Sequence, residues 1–374
     1  MRIALRELPK GLNETYEAIL AKISESEVEI VRKILLWLSF AVLPLTLEEL
    51  HEAVAIEDGL ERLDEESLLS SPQEILSLCG NLLNVSDQGH VRLAHLSVKE
   101  YLLSAQIRQN ALVSKFAMAP ADANQELAVY CLTYLSFQEL TSGPCGSSGA
   151  YADRLKRHLL LKHTATAWAY YVRAAHSTPK LRDLVSNFFA PGSRKIFMSW
   201  VQVLNGGYNF GWDIYPRHAT SLYYAASFGL AEIVEALIST GAELNAPGSR
   251  FGGTALHAAA FREHVPVMKL LLEAGADPGR ADFNRVTPLH TAVMFGNPEV
   301  ISMLLQFGAP KDAADGVGKT PYDWAVQTGQ VESQNLLLGL KFEKGDDLEQ
   351  RSQCHGNQLP YLVRGPYQNC LRPT

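Results

Sequence analysis

Apolar residues recur at helical spacing over most of the first 340 residues, and the polar positions between them divide the chain into stretches of different texture. Over residues 1–110, LPKGLNETYEAILAKI and EVEIVRKILLWLSFAV predict two helices, the second ended by Pro44. Thr46 and Glu49 have capping-box spacing and open a third helix, LTLEELHEAVAI; PQEILSLCG predicts a fourth, closed by Gly80. NLLNVS and HVRLAHL flank Asp87-Gln88-Gly89, the pattern of a β-hairpin, and Ser97 with Glu100 forms a second capping box opening SVKEYLLSAQ. Several helices followed by a hairpin predict a winged-helix-like N-terminal domain. Residues 111–214 read as a packed helical connector rich in aromatics. QELAVYCLTYLSF is an apolar helix, SGPCGSSGA a flexible loop exposing Cys145, RLKRHLLLKHTATAWAYYVRAA one long helix, and PKLRDLVSNFFA with KIFMSWVQVL a helical pair.

Residues 215–340 repeat. TSLYYAASFG from Thr220, TALHAAAFRE from Thr254, TPLHTAVMFG from Thr287 and TPYDWAVQTG from Thr320 align at spacings of 34, 33 and 33 residues. TGAELNA, AGADPGRAD and FGAPKDAAD repeat in the same phase. In each unit a threonine stands at a helix start, with Pro288 and Pro321 in the first turn where a missing N–H costs little. Small residues such as Ala225, Ala259 and Ala292 let a short inner helix pack closely. Gly229 and Gly296 end it, and an outer helix follows with apolar spacing, as in Val267, Met268, Leu270 and Leu271. Such a unit cannot bury its apolar faces alone, so stacking supplies the core. This pattern resembles the ankyrin repeat from Pro216 to about Leu340, with departures: Glu263 replaces a helix-ending glycine, and Tyr223 and Asp323 replace the histidine present as His257 and His290. The fourth unit lacks the closing turn and reads as a cap or a degraded repeat. Beyond it, residues 341–374 lose all periodicity and are expected to be a disordered tail.

The N-terminal phrases ELPKGLNETYEAIL, ILLWLSFAVLPLTLEELHEAVAI and LCGNLLNVS…GHVRLAHLSVKEYLL resemble the winged-helix segment named after GPI inositol-deacylases. In fungi that segment joins a NACHT nucleotide-binding domain to C-terminal ankyrin repeats in NLR-like, STAND-type proteins of self/non-self recognition. The resemblance therefore implies a NACHT domain as one possible partner. The resemblance begins where such a NACHT domain would end, so nucleotide-driven switching is not expected to carry over to this sequence.

Charge narrows the function. With 33 Lys+Arg against 40 Asp+Glu, the net charge of −7 repels phosphate, and no Lys or Arg occurs between Arg62 and Arg92, where the helix that would read DNA lies. Nucleic acid is not an expected partner. The longest apolar stretch, Ile34–Leu45, is too short and too interrupted to cross a bilayer, and the N-terminus lacks a signal-peptide core. Cys79, Cys131, Cys145, Cys354 and Cys370 lack metal-ligand spacing and read as reduced thiols of a cytoplasmic protein.

Three motifs suggest chemistry and fail. Ala313–Thr320 (AADGVGKT) fits a relaxed phosphate-loop pattern, but no apolar strand feeds it and it lies in phase with the repeats. His95 and Ser97 suggest a hydrolase; a half-buried strand-end histidine and a helix N-cap explain them better, and no GxSxG elbow occurs. His158 and His163 are five residues apart, poorly placed to share a helix face for a metal. His257 and His290 are expected to fix helix starts by hydrogen bonding.

The sequence thus predicts a mainly α, non-enzymatic protein-interaction scaffold without cofactor or metal: a winged-helix-like domain, a helical connector and an ankyrin solenoid. A partner protein is expected on the concave ankyrin face. The candidate contacts are Tyr224, Phe228, Arg250, Phe251, Phe261, Arg262, Phe283, Arg285, Met294, Phe295 and Trp324. For Tyr224 and Trp324, core filling between units is an equal alternative. Arg250, Arg262, Arg280 and Arg285 fall in or near loop tips, where they could form a basic edge.

Overall fold

Short amphipathic helices and a small sheet build the N-terminal part of the computed structural model, which describes residues 10–63, 65–206 and 211–339. The expected tail at 341–374, with Cys354 and Cys370, lies outside the described residues. So do Leu8 and Pro9, which begin the first expected helix. The chain divides into two units, Met1–Asp213 and Ile214–Thr374.

In the first unit, α1 (Lys10–Leu20) and α2 (Val28–Phe40) lead into β1 (Leu45–Thr46) and α3 (Leu47–Val54). The α2 face carrying Val31, Ile34, Leu35 and Trp37 is fully buried. Thr46 and Glu49 form the expected capping box: Glu49 N donates to Thr46 Oγ1 at 3.2 Å, and Thr46 N to the Glu49 carboxylate at 2.8 Å. Next come α4 (Glu74–Cys79), β2 (Leu83–Val85), β3 (His90–Leu93), α5 (Leu96–Leu103) and α6 (Ala105–Gln109). The expected hairpin pairs Leu83 with Leu93 and Val85 with Val91. β1 adds to its other side, pairing Leu45 with Val91, so the wing is a three-stranded antiparallel sheet ordered β1-β3-β2.

The second expected capping box is absent. His95 caps α5, its Nδ1 accepting from Ser97 N at 3.2 Å, and the His95 residue is exposed, not half-buried. Ser97 is buried, with its hydroxyl 2.7 Å from Tyr16 Oη, so it joins α1 to α5.

The connector shares a core with these elements. α7 (Pro120–Leu135) packs against α2 and α9, and Arg32 on α2 holds Glu126 on α7 through two hydrogen bonds of 2.8 and 2.5 Å. The expected long helix is broken into α8 (Ser148–Arg157) and α9 (Leu161–Ala174). Glu52 of α3 explains the break: its carboxylate accepts Leu160 N at 2.8 Å, capping α9, and the Tyr134 hydroxyl at 2.8 Å. A helix start favours such an anion. Desolvation raises the Glu52 pKa against these hydrogen bonds. The SGPCGSSGA loop is also corrected. Cys145 is buried, its N–H and C=O both engaged by the Gln202 amide, because α11 (Arg194–Asn205) packs over it. Between α9 and α11, α10 (Pro179–Phe189) closes an aromatic cluster of Trp168, Phe188, Phe189, Phe197 and Trp200, with ring centroids 5.4–6.5 Å apart. The deeply buried His163 is pushed down to about 4 by desolvation.

Among its described residues the second unit has four helix pairs: α12 (Ser221–Ser227) with α13 (Ala231–Ser239), α14 (Ala255–Phe261) with α15 (Val265–Glu273), α16 (Pro288–Phe295) with α17 (Pro298–Gln306), and α18 (Pro321–Gln327) with α19 (Val331–Leu337). Inner helices stack on inner helices and outer on outer, as an ankyrin array requires. Ala225, Ala259, Leu256, Leu289 and Ala325 are fully buried. On α19, Ser333 and Gln334 take the repeat positions held by Val300 and Ile301 on α17 and by Val267 and Met268 on α15.

Candidate functional site

Between each outer helix and the next inner helix the chain makes a hairpin-like tip, and the three tips are built alike. In the second, Asp282 Oδ1 accepts the N–H groups of Asn284 and Val286, at 2.8 and 2.9 Å. In the third, Asp315 Oδ1 accepts those of Val317 and Lys319, at 2.9 and 2.8 Å. Ser249 plays the part in the first tip, its hydroxyl accepting Gly253 N at 2.8 Å. Neighbouring tips join through their backbones: Phe283 N donates to Phe251 O, and Gly316 N to Asn284 O, both at 2.8 Å.

The histidines bind each tip to the helix before it. His257 Nδ1 accepts Thr254 N at 3.0 Å, which places the ring proton on Nε2, 3.0 Å from the Val286 carbonyl of the following tip. His290 repeats this with Thr287 N at 3.1 Å and the Lys319 carbonyl at 3.1 Å. Both rings are buried and held neutral by desolvation, His257 pushed down to about 4. These histidines therefore fix helix starts and tip positions. Where Asp323 replaces the histidine it caps Thr320 in the same way, Thr320 N donating to its carboxylate at 2.8 Å.

Three candidate contact residues do not reach the surface. Trp324, at 8% exposure, donates its indole N–H to Asp315 Oδ2 at 3.0 Å and lies edge-on to His290. Tyr224 packs its ring on Tyr223, and Phe228 sits in a turn crossed by the His264 ring, so both are buried. The others line the inner-helix ends and the tips. Phe261 and Phe295 meet edge to face at 5.1 Å, Phe295 remaining 47% exposed, with Met294 half-buried beside it. The Arg262 guanidinium stacks over Phe261, and burial lowers its pKa. Arg250 stacks over Phe251 in the first tip, while Phe283 and Arg285 stand exposed on the second. Phe283 lies directly over Gly252, where a Cβ would come within 2.6 Å of its ring, and still leaves 67% of its surface open.

Asn284, Val317 and Val326 also face outward here, outside the expected set of contacts. Asn284 and Val317 occupy the repeat position of Phe251, a signal present in the spacing alone. Lys319, expected as a surface residue of a repeat rather than a phosphate-loop lysine, faces outward as well. In that loop the N–H groups of Val317 and Lys319 are already bound to Asp315, and the Lys319 ammonium donates to Gln327 at 2.7 Å. The donors a phosphate would need are thus taken by a carboxylate. Among the described residues no cluster of three or more His, Cys, Asp or Glu side chains is placed to hold a metal ion, and no helix is long and apolar enough to cross a membrane.

Known proteins match in the same order. Residues 18–119 match the winged helix domain of GPI inositol-deacylase, and residues 199–282 and 279–351 match ankyrin repeats. The azaphilone pigments biosynthesis cluster protein L of Monascus ruber is 31% identical over 298 residues, which is 73% of this chain and 61% of that protein. The chain thus spans less than two thirds of that relative's length. Human diacylglycerol kinase iota is 39% identical over 75 residues, 20% of this chain and 7% of the kinase. The chain carries an N-terminal winged helix of the kind found in GPI inositol-deacylase and C-terminal ankyrin repeats.

Proposed function

We propose that this protein is a non-enzymatic scaffold of the cytoplasm that holds a partner protein on the inner face of its ankyrin array. The bound surface runs from the hairpin tips to the C-terminal ends of the inner helices. Its contacts are Arg250, Phe251, Phe261, Arg262, Phe283, Arg285, Met294 and Phe295. The observation that carries this reading is the exposure of Phe283 and Phe295, at 67% and 47%, beside half-buried Phe261 and Met294. Aromatics and arginines side by side are the residue types that dominate interface energy. The free, buried thiols of Cys79, Cys131 and Cys145 are consistent with a reducing compartment. Residues 1–110, 111–214 and 215–340 serve in this reading as winged helix, connector and binding array.

A photo-crosslinking residue placed at position 295 of the full chain tests it. A protein adduct is expected there and not from position 269, an exposed lysine on the outer helix α15. Adducts at 269 alone contradict the reading.

The winged-helix match supports a second reading, a regulatory segment of an NLR-like fungal sensor whose winged helix packs on a NACHT domain. Binding by the full chain that requires a NACHT domain and changes with its bound nucleotide supports that reading. Adducts at 295 formed without such a domain support the scaffold.

A further inference from the structure

Charge differs between the tips and the rest of the ankyrin array, where Lys269, Arg280 and Lys311 are exposed among a larger number of carboxylates. Exposed carboxylates such as Glu235, Glu243, Glu273, Asp277, Glu299 and Asp312 stand on the outer helices and the turns that close them. The two carboxylates of the tips are turned inward: Asp282 and Asp315 are only 6% and 5% exposed and are spent on turn hydrogen bonds. The tip cations are turned outward, with Arg285 and Lys319 exposed and Arg250 half-buried. Residues 247–253, 281–286 and 314–319 therefore present three cations and no exposed carboxylate.

The middle tip carries a second, independent anomaly. Arg285 has φ 60°, where Gly252 and Gly318 at the same repeat position have φ 81° and 83°. An L side chain in this region costs about 1 kcal/mol that glycine avoids. Strain kept where glycine fits, at an exposed tip, is a reason to look for a use of the guanidinium.

Spacing completes the picture. The backbone bonds from Phe283 to Phe251 and from Gly316 to Asn284 hold the tips in a row. Neighbouring tips follow stacked helices, about 10 Å apart. A chain extended as polyproline II returns its side chains to the same side every three residues, a rise of roughly 9 Å, so every third side chain meets a new tip.

The geometry points to an extended acidic segment of a protein partner as the occupant of this edge. Carboxylates at every third residue meet Arg250, Arg285 and Lys319, and an apolar side chain between them covers Phe283. The inference rests on the scaffold function proposed above and names the chemistry of its partner. Carboxylates fit better than a nucleic-acid backbone, because three cations on a chain of net charge −7 release few counterions.

The test titrates the full chain into a short fluorescein-labelled peptide with glutamate at every third position and leucine between. Peptides with glutamine or lysine instead, and a single-stranded DNA, are run beside it. Saturable binding of the glutamate peptide alone is expected, weakening with salt. Arg285→Gly and Lys319→Gln should each weaken it about tenfold. Because Arg285→Gly relieves strain, its melting temperature should hold or rise, which separates loss of the guanidinium from loss of fold. Equal binding of the glutamine peptide, preference for DNA, or no binding at all overturns the acidic edge. If the crosslink at position 295 persists while the glutamate peptide fails, the edge is wrong and the scaffold stands; loss of both removes both.

Discussion

At the scale of single residues, His257 and His290 couple the array to pH. Each ring must accept a backbone N–H through Nδ1, so protonation destroys the bond that fixes its helix start. The His257 pKa falls from 6.5 to about 4 in the folded protein. A depressed histidine pKa means that the unfolded chain binds the proton first. Stability is therefore complete above about pH 6.5 and is lost as pH falls through the window down to about 4, by an amount on the order of 3 kcal/mol for this ring. Thermal melts between pH 7 and pH 4 should show a steeper fall for the wild type than for His257→Gln; parallel curves would show that the ring is not coupled to folding. Glu263 makes a second residue-scale case. It adopts φ 57° where Gly229, Gly296 and Gly329 have 70°, 76° and 71°. Glu263→Gly should raise stability by about 1 kcal/mol or leave it unchanged, and a clear drop in melting temperature would contradict the strain.

At the scale of elements, Leu289 is fully buried in the stacked inner helices. Leu289→Ala should cost about 2–5 kcal/mol by opening a cavity, and denaturant melts showing less than about 1 kcal/mol would contradict this placement. Glu52 has a comparable role in the first unit. Glu52→Ala leaves the Leu160 N–H and Tyr134 hydroxyl buried without their acceptor, a cost on the order of 3 kcal/mol. Glu52→Gln, which keeps one acceptor, should lose less; equal losses would mean that packing and not capping sets the cost. This residue also marks the limit of what the sequence could disclose. The repeats were legible because threonine, alanine, histidine and glycine recur in phase, and the Thr46–Glu49 box was legible because both partners are local. The break between α8 and α9 was not, because its cap comes from α3, more than a hundred residues away. His95 displaced Ser97 as a cap for the same reason: the serine hydroxyl is drawn to Tyr16 on a distant helix. Cys145 read as exposed from a glycine- and serine-rich run, but Gln202 on α11 draws its backbone into the core.

At the scale of the whole molecule, the candidate site was legible in outline and wrong in part. Repeat position placed Phe283, Arg285 and Phe295 on the surface, but it could not show that Asp315 would hold Trp324 inward or that the His264 ring would cross the turn at Phe228. The basic edge was also redrawn. Arg262 stacks at the end of an inner helix and Arg280 lies in the turn after α15, so in the proposed edge Lys319, on a tip, stands in their place. The most direct measurement of the central claim compares partner capture by the wild-type full chain and by the Phe283→Ser/Phe295→Ser variant, with thermal melts of both. Phe283 is 67% and Phe295 47% exposed, so the melting temperatures should agree within a few degrees. If the inner face holds the partner, capture falls at least about tenfold at equal stability. Undiminished capture by the folded double variant would contradict the account.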